Sequence, residues 1–206
     1  MRKFIQSIPV YFICIAVIAV IITSFGQAEA QRSRDRWQQP EKVMDVIGVK
    51  QGMVIGEAGA GDGYFTFKLA ERVGDKGKIY ANEIDRRGLK SITRHCEREG
   101  ITNIETVLGK VDDPLFPSDS LDMVFMAQVF HHLDKPVEFL QNIKPYLKSG
   151  AFLVMVENEP AKSNNSARHY MPKDKLLKKV SETDFELDRI ETFLSRDNIY
   201  IFRLKK

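Results

Sequence analysis

The chain has 206 residues, 43% apolar and 29% charged, with a formal charge of +3. That is the composition of one globular domain with a short appendage, and it excludes a disordered chain or a multispan membrane protein. The near-balanced charge gives no push towards nucleic acid, which usually wants a clustered basic face. With two cysteines, one of them in the N-terminal apolar run, a disulfide framework or a thiolate metal site is excluded too.

Residues 1–30 are a separate object. Arg2 and Lys3 precede an apolar run over residues 8–25, and Ala28 and Ala30 supply small residues before Gln31. This is a secretory signal pattern, which places the domain outside the cytoplasm. The run also reaches the lower length of a spanning helix, so an uncleaved anchor with the domain in the cytoplasm stays open. Residues 31–39 are polar and aperiodic; they read as a linker, or an arm packing through Trp37.

Residues 40–206 alternate helical and strand patterns. Val43, Val46 and Ile47 share a helix face over 41–49. A strand over 52–58 runs into a glycine loop, then a helix over 63–74, a strand over 77–84 and a polar-faced helix over 86–100. Strands follow at 103–109 and 120–128, the second apolar enough for burial on both faces. A helix over 135–150 carries Pro136 in its first turn and meets Pro145, which kinks or ends it. A strand over 151–158, a helix over 172–184 and two strands, 185–194 and 198–206, complete the chain. The pattern predicts an α/β, Rossmann-like sheet of seven strands, mostly parallel, with helices on both faces and a C-terminal antiparallel hairpin.

The loop "GEAGAGDGYF" carries Glu57, Gly59, Gly61 and Gly63. Loops after parallel strands lie where ligands bind, and glycines allow close approach. The spacing is GxGxG, not GxGxxG, because position 64 is Tyr; no Walker lysine follows. Glu57 repels a phosphate and suits a cationic ligand. Glu83 closes the next strand, where a carboxylate accepts ribose hydroxyls. A close-approach loop, an acid for an amine and an acid for a ribose describe S-adenosylmethionine.

At "VIGEAGAGDGYF", "IYANEID", "FPSDSLDMVFMAQVFHHL" and "IKPYLKSGAFLVMVE" the chain resembles the class I S-adenosylmethionine-dependent methyltransferases, especially small-molecule and quinone-type members. The resemblance covers 40–206 and implies methyl transfer to a small or membrane-associated acceptor. It also implies that Gln128 lies near the methionine part of the cofactor. An acid contacting the adenine amine follows the third strand in many relatives; here Lys110 follows Gly109, and Asp112 or the Val111 backbone takes that place.

Methyl transfer needs a base only when the acceptor loses a proton. His131 and His132, after the fourth strand, are the base candidates, or they cap that loop. His169 with Tyr170 stands in a loop that covers the acceptor or merely connects. No spacing supports a metal. Nucleic acid is not an expected partner; a membrane is one through residues 8–25, and a lipid-like acceptor would follow from it. Two other readings compete: an exported methyltransferase-like binding domain without catalysis, and a nicotinamide enzyme, which the glycine spacing disfavours.

Overall fold

The computed structural model describes residue 29, residues 31–162 and residues 170–205. The apolar run and His169 lie outside these. Among the described residues no helix is long and apolar enough to cross a membrane. The chain divides into two units, 1–38 and 39–206.

In the first unit, residues 31–38 are helical. Gln and Arg are good helix formers, and Arg34 Nε donates to Gln38 Oε1 one turn on, at 3.3 Å. A helix bonded along a polar face shows no apolar period, so periodicity missed it.

The second unit contains α1 (Pro40–Ile47), β1 (Val54–Ala58), α2 (Tyr64–Val73), β2 (Lys78–Glu83), α3 (Arg86–Glu99), β3 (Ile104–Leu108), β4 (Leu121–Ala127), α4 (Pro136–Ile143), β5 (Leu147–Asn158), α5 (Lys173–Ser181), β6 (Phe185–Glu191) and β7 (Asp197–Leu204). The sheet order is β3-β2-β1-β4-β5-β7-β6. β1 to β5 pair in parallel, and β7 enters antiparallel between β5 and β6. This is the expected architecture.

Alternation sorts the core. Met123 and Phe125 of β4 pack on one face with Met44, Phe65, Leu69 and Val73 of α1 and α2. Val124 and Met126 pack on the other with Phe139, Leu140, Leu176 and Val180 of α4 and α5. Both faces of β4 are therefore dry, as its unbroken apolar run requires. Pro145 ends the fourth helix early: α4 stops at Ile143, a 3-10 turn carries Lys144–Tyr146, and β5 begins at Leu147, four residues before the expected start.

Every parallel strand ends on the same side of the sheet. The β1 and β4 ends are neighbours, because the chain order reverses between them, and a crevice opens there.

Candidate functional site

The glycine loop leaves β1 inside this crevice. Gly59, Gly61 and Gly63 all take left-handed backbone, with φ of 74°, 59° and 97°, which only glycine adopts without cost. Ala60 N–H donates to the Asn82 carbonyl at 2.8 Å, tying the loop to the end of β2. Gly61 N–H donates to Glu83 Oε2 at 2.9 Å. The other oxygen, Oε1, accepts from Ile84 N–H at 2.8 Å and Asp85 N–H at 3.1 Å. One carboxylate thus fixes the glycine loop and the turn into α3. Gly88 lets α3 come this close: a Cβ there would stand 2.4 Å from the Gly61 carbonyl oxygen.

A cavity of about 260 Å³ fills the crevice, near the lower end of small-molecule sites, which run from about 300 Å³. Gly59, Glu83, Gln128 and His132 line it, with Ile84, Val111 and Leu133 as apolar walls. Ile84 and Val111 are 56% and 59% exposed, unusual for large aliphatic side chains. They stand at the ends of β2 and β3, on the rim of the cavity.

The other expected site residues stand elsewhere. Glu57 is buried, 3% exposed, and accepts the Thr66 hydroxyl at 2.5 Å; it does not line the cavity. Gly61 and Gly63 shape the loop from behind the lining. Asp112 is also outside it, and Lys110 and Val111 occupy the rim instead. The turn there is pinned: Lys110 N–H donates to the Asp113 carbonyl at 2.7 Å, and Asn142 Nδ2 to the Asp112 carbonyl at 2.9 Å. Tyr146 donates its hydroxyl to Asp113 Oδ1 at 2.6 Å; burial, then that carboxylate, pushes the phenol up to about 12.

The two histidines part company. His132 lines the cavity. His131 turns inward, its Nδ1 2.6 Å from Glu157 Oε2, and is absent from the lining. The other Glu157 oxygen accepts from Val129 N–H at 3.0 Å and Phe130 N–H at 2.6 Å. Glu157 is 1% exposed, so one buried carboxylate holds the whole 3-10 turn after β4. The two rings lie 4.0 Å apart, centroid to centroid. Glu157 was not anticipated, although an acid closing an apolar strand is the same signal that singled out Glu57 and Glu83.

Gln128 follows β4 with φ of 62°, left-handed for a residue with a side chain. Its amide bridges two groups: Nε2 donates to Asp197 Oδ1 at 2.9 Å, and Oε1 accepts from Asn158 Nδ2. Asp197 opens β7, opposite Asn158. Burial is the first cause that raises its carboxyl to about 6, against the lowering effect of the Gln128 bond. Lys162 Nζ donates to the carbonyls of Thr192, Leu194 and Asp197, and burial lowers its pKa. No local signal marked Asp197, which reads as a turn residue. Among the described residues no cluster could hold a metal ion.

Comparison with known proteins agrees with this geometry. The chain is 30% identical over 125 residues to the tRNA U34 carboxymethyltransferase of Desulfotalea psychrophila, a match covering 60% of this chain and 37% of that protein. It is 26% identical over 115 residues to a ubiquinone/menaquinone biosynthesis C-methyltransferase of Shewanella oneidensis, covering 55% and 46%. The chain thus spans less than half the length of these two relatives. The structure of a SAM-dependent methyltransferase from Aquifex aeolicus superposes with a TM-score of 0.78 over 82% of this chain and 92% of that one, at 23% identity, and shares the fold. The profile of the methyltransferase domain matches residues 49–198, from just before β1 into β7. On that match, over most of the sheet and the whole crevice, the chain belongs to the methyltransferase domain family.

Proposed function

We propose that this domain transfers a methyl group from S-adenosylmethionine to a small-molecule acceptor. The observation that carries the reading is Glu83: a carboxylate at the end of β2, on the cavity, beside a glycine loop and flanked by two exposed aliphatic side chains. Its Oε2 suits a ribose hydroxyl, and Ile84 and Val111 suit the faces of an adenine. Gly59 leaves room for backbone approach, since a Cβ there would already meet Val129 Cγ2 at 2.4 Å.

The cofactor supplies an electrophilic methyl on a sulfonium, and its departure leaves a neutral thioether. The protein therefore has no leaving group to protonate. Its contributions are to hold both reactants in line and to keep water out. The apolar walls Val129, Leu133 and Phe139 serve the second task. Where the acceptor must lose a proton, His132 lines the cavity as a candidate base. His131, held by Glu157, fixes the turn that presents His132.

Calorimetric titration of residues 31–206 with S-adenosylmethionine, S-adenosylhomocysteine and NAD tests the reading. Micromolar binding of the first two and none of NAD is expected. Folded protein that ignores all three would favour a binding domain for another ligand.

The pattern of residues 1–30 supports delivery to a membrane, with an acceptor met at or beyond it. Mass analysis of the protein purified from its host should show a chain beginning at Gln31; a start at Met1 would favour the uncleaved anchor and a cytoplasmic domain.

A further inference from the structure

The network behind Gln128 buries a carboxylate at the start of β7. Asp197 is 0% exposed, yet its Oδ2 has no hydrogen-bond partner among the described residues. Buried carboxylates at such positions are retained for reasons other than stability.

Chemistry gives this one a task. A carboxylate only accepts, whereas an amide presents a donor end and an acceptor end. With Asp197 ionised, Gln128 must turn Nε2 towards it. Oε1 is then committed to Asn158 Nδ2. One N–H and one lone pair of Gln128 are left over, in a defined order, on a residue that lines the cavity. The backbone is fixed as well, because Gln128 N–H donates to the Val156 carbonyl at 2.8 Å. A neutral group at 197 that can both donate and accept would let the amide invert, with the Asn158 amide turning over to match.

We propose that Asp197 is a positioning residue of the methyltransferase site, acting through Gln128 to hold its carboxamide in the one orientation that receives the cofactor. This rests on reading the cavity as the S-adenosylmethionine site. Asp197 titrates in its own setting: burial raises its carboxyl to about 6, the Gln128 bond lowers it, Glu157 on β5 raises it, and Lys162 and Arg196 lower it. His131 meets Glu157, its Nδ1 2.6 Å from Oε2. The orientation should therefore hold above pH 6 and loosen below it.

The test is a double-mutant cycle on S-adenosylmethionine affinity at pH 7.5 and 5.5, using wild type, Asp197→Asn, Gln128→Ala and the double variant. At pH 7.5, Asp197→Asn should weaken binding three- to tenfold while raising the melting temperature. A packing role would lower both. In the Gln128→Ala background the same change should cost nothing further. Wild type should lose affinity at pH 5.5, and Asp197→Asn should not. Wild-type affinity in Asp197→Asn, or an undiminished loss without Gln128, would overturn the proposal. A parallel NMR titration of the Gln128 side-chain amide keeps the two readings apart. If wild type binds no S-adenosylmethionine, the cofactor assignment fails and the proposal with it. An amide shift that still follows a proton near pH 6, and is lost in Asp197→Asn, then shows that the clamp is real and serves another ligand.

Discussion

Replacing Glu83 with Ala should weaken S-adenosylmethionine binding about a hundredfold. A hydrogen bond to a charged group contributes about 1.5–3 kcal/mol. Oε1 already accepts two N–H groups and Oε2 one, so a ribose hydroxyl on the remaining Oε2 lone pair gives about 1.5–3 kcal/mol. The loss has a second source. Glu83 also receives Gly61 N–H, Ile84 N–H and Asp85 N–H, so the loop and the turn loosen together. Glu83→Gln keeps the shape, but its NH2 must face the Gly61 N–H or the Ile84 and Asp85 N–H groups, donor against donor, so it should lose at least about tenfold. His131→Ala should cost the cofactor much less, since His131 bonds Glu157 and does not line the cavity. Calorimetry of the three variants, with circular dichroism to establish folding, reads all of this. Similar small losses from Glu83→Ala and His131→Ala would sink the site assignment.

Asp197→Asn should stabilise the protein at pH 7.5 by about 1–2 kcal/mol. The buried carboxyl titrates near 6, about two units above its ordinary value, and each unit is about 1.4 kcal/mol. The folded state holds this proton more tightly than the unfolded chain does. Stability from Asp197 is thus greatest below about pH 4, falls as pH rises to about 6, and stays low above it. The charge costs about 3 kcal/mol at pH 7.5. The new amide nitrogen takes the place of the unpartnered Oδ2, and its own lack of a partner returns about 1–2 kcal/mol of that. Thermal melts of both proteins across pH 4 to 8 check the sign. The gain should rise from pH 4 to 6 and then level off. A destabilised variant, or a gain independent of pH, would remove the burial argument. A stabilising change that weakens cofactor binding is what a functional residue held against stability produces.

Much of the site was legible because a parallel sheet imposes it. Any polar residue that ends a strand in such a sheet arrives at one edge with the ends of the other strands. Gly59, Glu83, Gln128 and His132 each follow or close a strand, and all four reach the cavity. Glu57 closes a strand too, but its carboxylate meets Thr66 on the first turns of α2. Which way an acid turns at a strand end depends on the helix packed above it, and no spacing encodes that. His131 and His132 are adjacent in sequence and indistinguishable there; Glu157, 26 residues on, separates them.

By itself, then, the amino-acid sequence determined the order of helices and strands, the two-sided burial of β4 and the placement of the glycine loop at the crevice. These follow from local periodicity, from glycine's backbone freedom and from the handed, unknotted way parallel strands connect. The tertiary structure alone decided which oxygen meets which donor. The Gln128–Asp197 bond joins residues 69 apart, and Glu157 reaches 28 residues back to Val129. Such bonds depend on the register of β5 against β4 and β7, and on side-chain geometry finer than any pattern of residue types. The strand ends were readable because every strand repeats one geometry; the buried polar network was not, because each of its contacts occurs once.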